Sequence, residues 1–142
     1  MTDSLPSDHP AVDSHRVRLG RIGSTTRPQL PLPADISPGV GDIICLILDG
    51  QRTYAEVIST LDDRRAVRGA YATRQLARTG DGTDLFSEWC DAHTDGAGTT
   101  LVLDVLTEGY AYGLREPGAR VVYTPPKKPN DSLADIAKSL DQ

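Results

Sequence analysis

The sequence predicts an α+β, β-dominated fold: a small barrel or pseudobarrel of about six to eight short strands, one inserted helix and a C-terminal helix. Three observations lead there. The 142 residues fit one domain with one core. Short β-rich runs alternate with Gly, Pro and Asp turn clusters. One segment late in the chain has helical spacing and carries the only Trp and the only Phe.

Composition along the chain predicts three regions. Residues 1–14 are polar and lack periodicity, as expected of a disordered N-terminal arm. Residues 15–124 hold the strand-like runs and form the predicted barrel domain. Residues 125–142 begin with "PPKKPN", a stiff proline-rich linker, and end in "DSLADIAKSLDQ", an amphipathic helix with an apolar stripe.

The segment "DIICLILDGQRTYAEVIS" predicts a β-hairpin. A continuous apolar run, Ile43–Leu48, meets Asp49-Gly50 and returns as an alternating strand. Asp-Gly between two β-rich runs is a strong hairpin signal. The first strand lacks polar residues, so we expect both of its faces to be covered. In the second strand, Ala55 and Val57 should share one face.

The segments that follow complete the predicted domain. "GAYATRQLA" fits a strand or a short helix. "DLFSEWCDAH" predicts a helix capped by Asp84, with its Phe and Trp closing one end of the core. "GTTLVLDVL", "EGYAYGL" and "ARVVY" predict three further strands.

The kinds of charge say more than the net charge of −5. The chain holds 16 Asp against 4 Glu and 12 Arg against 3 Lys. Short carboxylates and guanidinium groups favour a protein from a high-salt cytoplasm, although a high-GC genome also enriches Arg. Two cysteines form no disulfide framework, and no apolar run has the length of a membrane span. We therefore expect a cytoplasmic protein without membrane contact.

The arginines are concentrated in two segments of this acidic chain. Residues 16–34 carry a charge of +4 and residues 61–80 carry +3, which leaves −12 on the rest. Such segregation is typical of a protein that contacts phosphates. The competing interpretation is ordinary ion pairing with surface aspartates, and Asp62 and Asp63 adjoin Arg64 and Arg65.

The order of segments carries a resemblance. "RPQLPLP", the hairpin "ICLILDGQRTYAEV", the helix "DLFSEWCDA" and the strand "GAGTTLVLDVL" lie within residues 15–106. This region resembles the DNA-binding pseudobarrel of plant transcription-factor domains, and its first half is similar to AbrB-type and double-psi barrels. The chain as a whole resembles an uncharacterised haloarchaeal family. The pseudobarrel resemblance implies two DNA-gripping arms, at residues 21–27 and residues 64–78.

The predicted function is therefore non-catalytic nucleic-acid binding, with double-stranded DNA as the expected ligand. The predicted contacts to the phosphate backbone come from seven arginines: Arg21, Arg27, Arg64, Arg65, Arg68, Arg74 and Arg78. We predict no cofactor and no metal.

Two alternatives belong to other classes of function. The first is a protein-interaction or self-association module that uses the barrel edge or the C-terminal helix. The second and weaker is a small barrel enzyme that uses Asp104 and Glu108. Cys90 and His93 share a helix face, but a metal site needs more ligands than this pair. No nucleotide-binding or hydrolase motif occurs.

Overall fold

The structure is a computed structural model that describes residues 5–10, 12–22, 27–60, 62–94, 96 and 98–124. These residues form ten strands and two helices. The strands are β1 (Leu5–Pro6), β2 (Asp13–Arg18), β3 (Gly20–Arg21), β4 (Pro28–Pro31), β5 (Ile43–Leu48), β6 (Gln51–Ser59), β7 (Arg65–Val67), β8 (Thr100–Thr107), β9 (Ala111–Arg115) and β10 (Val122–Tyr123), and the helices are α1 (Arg74–Thr79) and α2 (Leu85–His93).

Eight of the strands form one nearly closed sheet, which confirms the predicted β-dominated barrel. Their order is β2-β8-β9-β5-β6-β7-β4-β3. The two ends of this order, β2 and β3, are separated in sequence only by Leu19. The chain therefore runs as one bent strand that pairs with β8 before the bend and with β4 after it. This shared strand closes the barrel.

The hairpin prediction is confirmed, and β5 is central because its sequence is apolar throughout. β5 pairs antiparallel with β6 across the Asp49-Gly50 turn and parallel with β9. Ile44 and Leu46 point into the main core, whereas Cys45 and Ile47 belong to a second apolar cluster on the opposite face. A strand covered on both sides has no place for a polar side chain.

The main core is closed at one end by α2, as predicted. Asp84 caps this helix, because its Oδ1 accepts hydrogen bonds from the N–H groups of Phe86 and Ser87 at 3.1 and 3.2 Å. Phe86, Trp89 and Cys90 of the helix are buried in the core. The arginine-rich segment contains the other helix, α1, which begins after the N-cap Thr73.

The second apolar cluster lies beneath a two-stranded ribbon, β1 paired with β10. Tyr123 of this ribbon is fully buried and lies over Gly113 of β9. A Cβ at Gly113 would come within 2.2 Å of the Tyr123 ring. Glycine is thus required here because an aromatic ring occupies the space above its backbone.

Part of the segment predicted as an N-terminal arm is described by the structure. Leu5–Pro6 forms β1, and β2, which begins at Asp13, includes the last two residues of the predicted arm. Residues 1–4, the predicted linker and the predicted C-terminal helix (residues 125–142) lie outside the described residues. Neither of the two described helices is long and apolar enough to cross a membrane.

We predict that Gly113→Ala destabilises the protein by about 1–3 kcal/mol, because the added methyl group must displace the buried Tyr123 ring. Urea unfolding measures this change. Gly20→Ala is the matched control, since its nearest neighbour would be the Gln29 carbonyl oxygen at an ordinary 3.6 Å. Equal stability of the two variants would contradict the packing argument.

Candidate nucleic-acid interface

Arginines from both predicted arms line one cleft in the barrel wall. The cleft has a volume of about 300 Å³ and lies between Ile22 and Arg27 on one side and β6, the residues after β7 and the end of α1 on the other. Arg27 comes from the first arginine segment, and Arg68 and Arg78 come from the second. The full lining is Ile22, Arg27, Glu56, Ile58, Arg68, Gly69, Tyr71, Ala77, Arg78, Thr79 and Gly80.

The three cleft arginines are held in different ways. Arg68 is half-buried, and its Nε donates to Gln29 Oε1 at 2.8 Å. Arg78 is more exposed, and its Nη1 lies 3.1 Å from Glu56 Oε2. Arg27 is also exposed, with its Nη2 3.7 Å from Asp84 Oδ2. One guanidinium is therefore anchored within the cleft, and two are held by ion pairs.

Asp84 connects the cleft to the helix α2. Besides capping the helix, its Oδ1 accepts the Ala70 N–H at 3.1 Å. Its Oδ2 is buried and accepts no hydrogen bond among the described residues, so the Arg27 guanidinium is the group that faces it. Tyr71 lines the cleft nearby, where burial, followed by the negative charge of Asp84, raises the pKa of its phenol.

Arg65 lies outside the cleft lining and holds a loop together. Its guanidinium donates to four backbone carbonyls in residues 33–38: Nη1 to Ile36 at 2.7 Å and to Pro38, and Nη2 to Pro33 and Ala34 at 3.0 and 3.1 Å. A planar fork suits this task, because several carbonyls can be satisfied by one rigid group. Its terminal donors are engaged within the protein.

The other three predicted arginines also lie outside the lining. Arg74 packs against two tyrosine rings, with its guanidinium carbon 5.7 Å from the Tyr54 centroid and 5.5 Å from the Tyr110 centroid. Arg21 and Arg64 are exposed. The structure thus brings Arg27, Arg68 and Arg78 together and leaves Arg21, Arg64, Arg65 and Arg74 elsewhere.

Sequence reasoning missed several polar groups of the cleft. Glu56 lies on the face of β6 opposite the buried Ala55 and Val57, so strict alternation could have placed it on the outside of the barrel. Tyr71 carried no comparable signal, and neither did Gln29, which lies outside the lining and holds Arg68, because their contacts depend on strand pairings between distant segments.

The two carboxylates of the enzyme alternative do not share a site. Asp104 is fully buried and accepts hydrogen bonds from Ser14 Oγ at 2.6 Å, Tyr123 Oη at 2.6 Å and Arg115 Nε at 2.8 Å. Glu108 is exposed and accepts the Ser37 N–H at 2.7 Å. Asp104 is therefore saturated by structural donors. In return, its bonds to Arg115 raise the pKa of that guanidinium.

Cys90 and His93 also have separate environments. Cys90 is buried in the core, and desolvation raises the pKa of its thiol to about 12. His93 stacks on Trp89 and bridges two carboxylates, with Nε2 2.7 Å from Asp49 and Nδ1 3.0 Å from Glu116. Within the described part of the chain, no group of three or more His, Cys, Asp or Glu residues is arranged to hold a metal ion.

We predict that Asp104→Asn lowers the free energy of unfolding by about 3 kcal/mol, because it removes the fully buried carboxylate that pairs with the Arg115 guanidinium, whose side chain is 14% exposed. Glu108→Gln, the same chemical change at an exposed carboxylate, should cost less than about 1 kcal/mol. Denaturant unfolding of both variants measures the contrast. Similar losses in the two would show that the Asp104 network is not the stabilising element.

We predict that His93 makes stability depend on pH. Hydrogen bonds to Glu116 and Asp49 raise its pKa above the ordinary 6.5. Its stabilising effect is therefore complete below pH 6.5 and is lost as the pH rises through the folded-state pKa. The stability difference between the parent protein and His93→Gln should shrink on alkalinisation, by about 1 kcal/mol or less for such exposed carboxylates.

Thermal unfolding across that pH range tests the His93 prediction. His15→Gln is the control, since the His15 side chain makes no ion pair with any described carboxylate. A difference between parent and His93→Gln that stays constant with pH would contradict it.

Comparison with protein families gives one match, which covers nearly the whole chain. No curated protein and no solved structure is found to match. The profile of a family of unknown function, DUF7112, matches residues 1–140. Because this match includes the barrel and the arginine-lined cleft and covers nearly the full length of the chain, the chain belongs to the DUF7112 family.

Proposed function

We propose that this protein binds nucleic acid without catalysis and that the arginine-lined cleft is its contact with the phosphate backbone. Double-stranded DNA remains the expected ligand, in keeping with the pseudobarrel resemblance of residues 15–106. The observation that carries the proposal is the meeting of Arg27 with Arg68 and Arg78 in one cleft. Guanidinium groups from distant segments that converge on one concave surface are typical of anion recognition.

The charge of the cleft supports this proposal. Its lining contains three arginines and one carboxylate, Glu56, in a chain whose net charge is −5. Each guanidinium has five N–H donors in a fixed fork. Among the described residues, Arg68 uses only its Nε, so its terminal nitrogens remain able to donate to a ligand.

Arginine, rather than lysine, suits such contacts in concentrated salt. At an ionic strength on the order of 1 M the screening length is about 3 Å, so long-range attraction to the phosphate backbone is weak. Short-range, bidentate hydrogen bonds from guanidinium survive this screening better than the point charge of an ammonium group. The proposed binding therefore depends on direct contacts in the cleft.

The remaining arginines take supporting roles in this proposal. Arg65 shapes the loop of residues 33–38, and Arg74 packs against tyrosines. Arg21 and Arg64 are exposed and would add backbone contacts on the flanks. A haloarchaeal origin, a cytoplasmic location and the possible protein partner remain predictions from the sequence alone.

We predict that Arg78→Gln weakens binding to a short DNA duplex and lowers the slope of log affinity against log salt by about 1, as expected when one phosphate contact is lost. Fluorescence anisotropy over a range of KCl concentrations measures both. Arg120→Gln is the matched control. Arg120 is 59% exposed and lies 3.1 Å from Asp8, as Arg78 is 59% exposed and lies 3.1 Å from Glu56.

Arg120 is not part of the cleft lining, so its substitution should leave affinity and salt slope unchanged. RNA and single-stranded DNA are titrated in parallel. The proposal fails if the parent protein binds none of these nucleic acids, or if both variants lose the same affinity.

A further inference from the structure

The cleft offers hydrogen-bonding groups of both kinds. Arg68 presents donors, and Glu56 presents acceptors on the same concave surface. A phosphate accepts hydrogen bonds only, so the arginines can bind it, whereas Glu56 has no phosphate group to pair with. The presence of Glu56 in the lining therefore indicates a ligand that also has N–H groups to donate.

Arg68 is oriented before any ligand arrives. The hydrogen bond from its Nε to Gln29 Oε1 fixes one edge of the guanidinium, and the side chain is half-buried. A fork held in this way loses little freedom on binding, which favours bidentate recognition of two neighbouring acceptors.

Glu56 also keeps capacity for a ligand. Its side chain is 28% exposed, and its Oε2 pairs with Arg78 Nη1 at 3.1 Å. A carboxylate has about four acceptor positions on its two oxygens. Arg78 thus holds Glu56 in place and compensates its charge, while the carboxylate can still accept further N–H groups.

The remaining lining suits a flat ring. Ile22, Ile58 and Tyr71 provide apolar surface, and Tyr71 is 9% exposed. The volume of about 300 Å³ is at the small end of the range for ligand sites. A cleft of this volume has room for one base.

Guanine has the complementary pattern. Its O6 and N7 are neighbouring acceptors that an arginine fork binds bidentately. Its N1–H and N2 amino groups are neighbouring donors that match a carboxylate. Adenine carries an amino donor where guanine carries O6, and it would face the Arg68 donors unfavourably. We infer that the cleft recognises an unpaired guanine nucleotide, with Arg68 on O6 and N7 and Glu56 on N1–H and N2.

The guanine must be unpaired because a base pair with cytosine already uses its N1–H and N2 groups. In double-stranded DNA, the expected ligand, a base extruded from the helix would present that edge to Glu56; a single strand or a strand end would present it directly. This inference rests on the proposed function in one respect: Arg27 and Arg78 at the cleft would contact the phosphates that flank the base in a strand. A free guanine nucleotide offers the same chemistry.

Fluorescence anisotropy with short single strands tests the inference. Strands that differ at one central position carry guanine, adenine, 7-deazaguanine or hypoxanthine. We expect guanine to bind about tenfold more tightly than adenine, as for a good bidentate contact. The loss of N7 or of the N2 amino group should each remove part of this preference. These four probes use the unaltered protein, so they do not depend on the folding of a variant.

Variants then assign the preference to residues. Arg68→Lys and Glu56→Gln should abolish discrimination between guanine and adenine, whereas Arg120→Gln should keep it. Thermal unfolding verifies that each variant is folded. Retention of the full preference in both Arg68→Lys and Glu56→Gln would overturn the assignment.

Free guanosine monophosphate, titrated by calorimetry beside adenosine monophosphate, separates this inference from the proposed function. Strand binding with equal affinity for guanine and adenine overturns the guanine site and leaves nucleic-acid binding intact. Binding of free guanosine monophosphate without any strand binding supports the guanine site and overturns nucleic-acid binding. Absence of both kinds of binding overturns both.

Discussion

The buried carboxylate of Asp104 is the interaction on which the rest of the structure depends. It accepts hydrogen bonds from Ser14 in β2, Arg115 in β9 and Tyr123 in β10, and it lies in β8 itself. Four strands thus meet at one charge. A charge in the protein interior is tolerated only when its hydrogen-bonding capacity is filled. Any rearrangement of these strands would remove donors from the Asp104 carboxylate while it stays buried among apolar groups. The network therefore selects one arrangement of the barrel wall and of the ribbon that covers it.

The arginines of the segment 61–80 have different structural roles that the sequence alone does not distinguish. Arg65 and Arg68 are three residues apart, yet the terminal nitrogens of Arg65 donate to four carbonyls of a neighbouring loop, whereas Arg68 lines the cleft and donates its Nε to Gln29. Ion pairing with surface aspartates, the competing interpretation, applies in a modified form. Arg78 of this segment pairs with Glu56 rather than with the adjacent Asp62 and Asp63, and Arg27 of the other arginine segment pairs with Asp84. Pairing and ligand binding are compatible, because a paired carboxylate can position an arginine.

Local patterns made the fold class predictable. The apolar run of β5, the Asp49-Gly50 turn and the Asp84 cap are each specified by a few neighbouring residues, and all three are confirmed. The parallel pairing of β5 with β9 and the closure of the barrel at Leu19 join distant segments, so no local pattern signals them. For the cleft, the sequence predicted only that two segments rich in arginine would contact the ligand. Which arginines reach it depends on the carbonyls and side chains that the folded chain brings near each one.

The bent strand that closes the barrel also has a consequence for the order of folding. Ser14 and Asp104 are 90 residues apart in sequence, and their pairing must wait until β8 has left the ribosome. Until then β2 has no partner on that side and exposes its unpaired backbone edge. Bringing such distant segments together has an entropic cost before any contact forms, so we expect this barrel to fold more slowly than a domain built on local contacts. The charged residues of β2, an Asp and two Arg, would keep that waiting edge from pairing with another nascent chain.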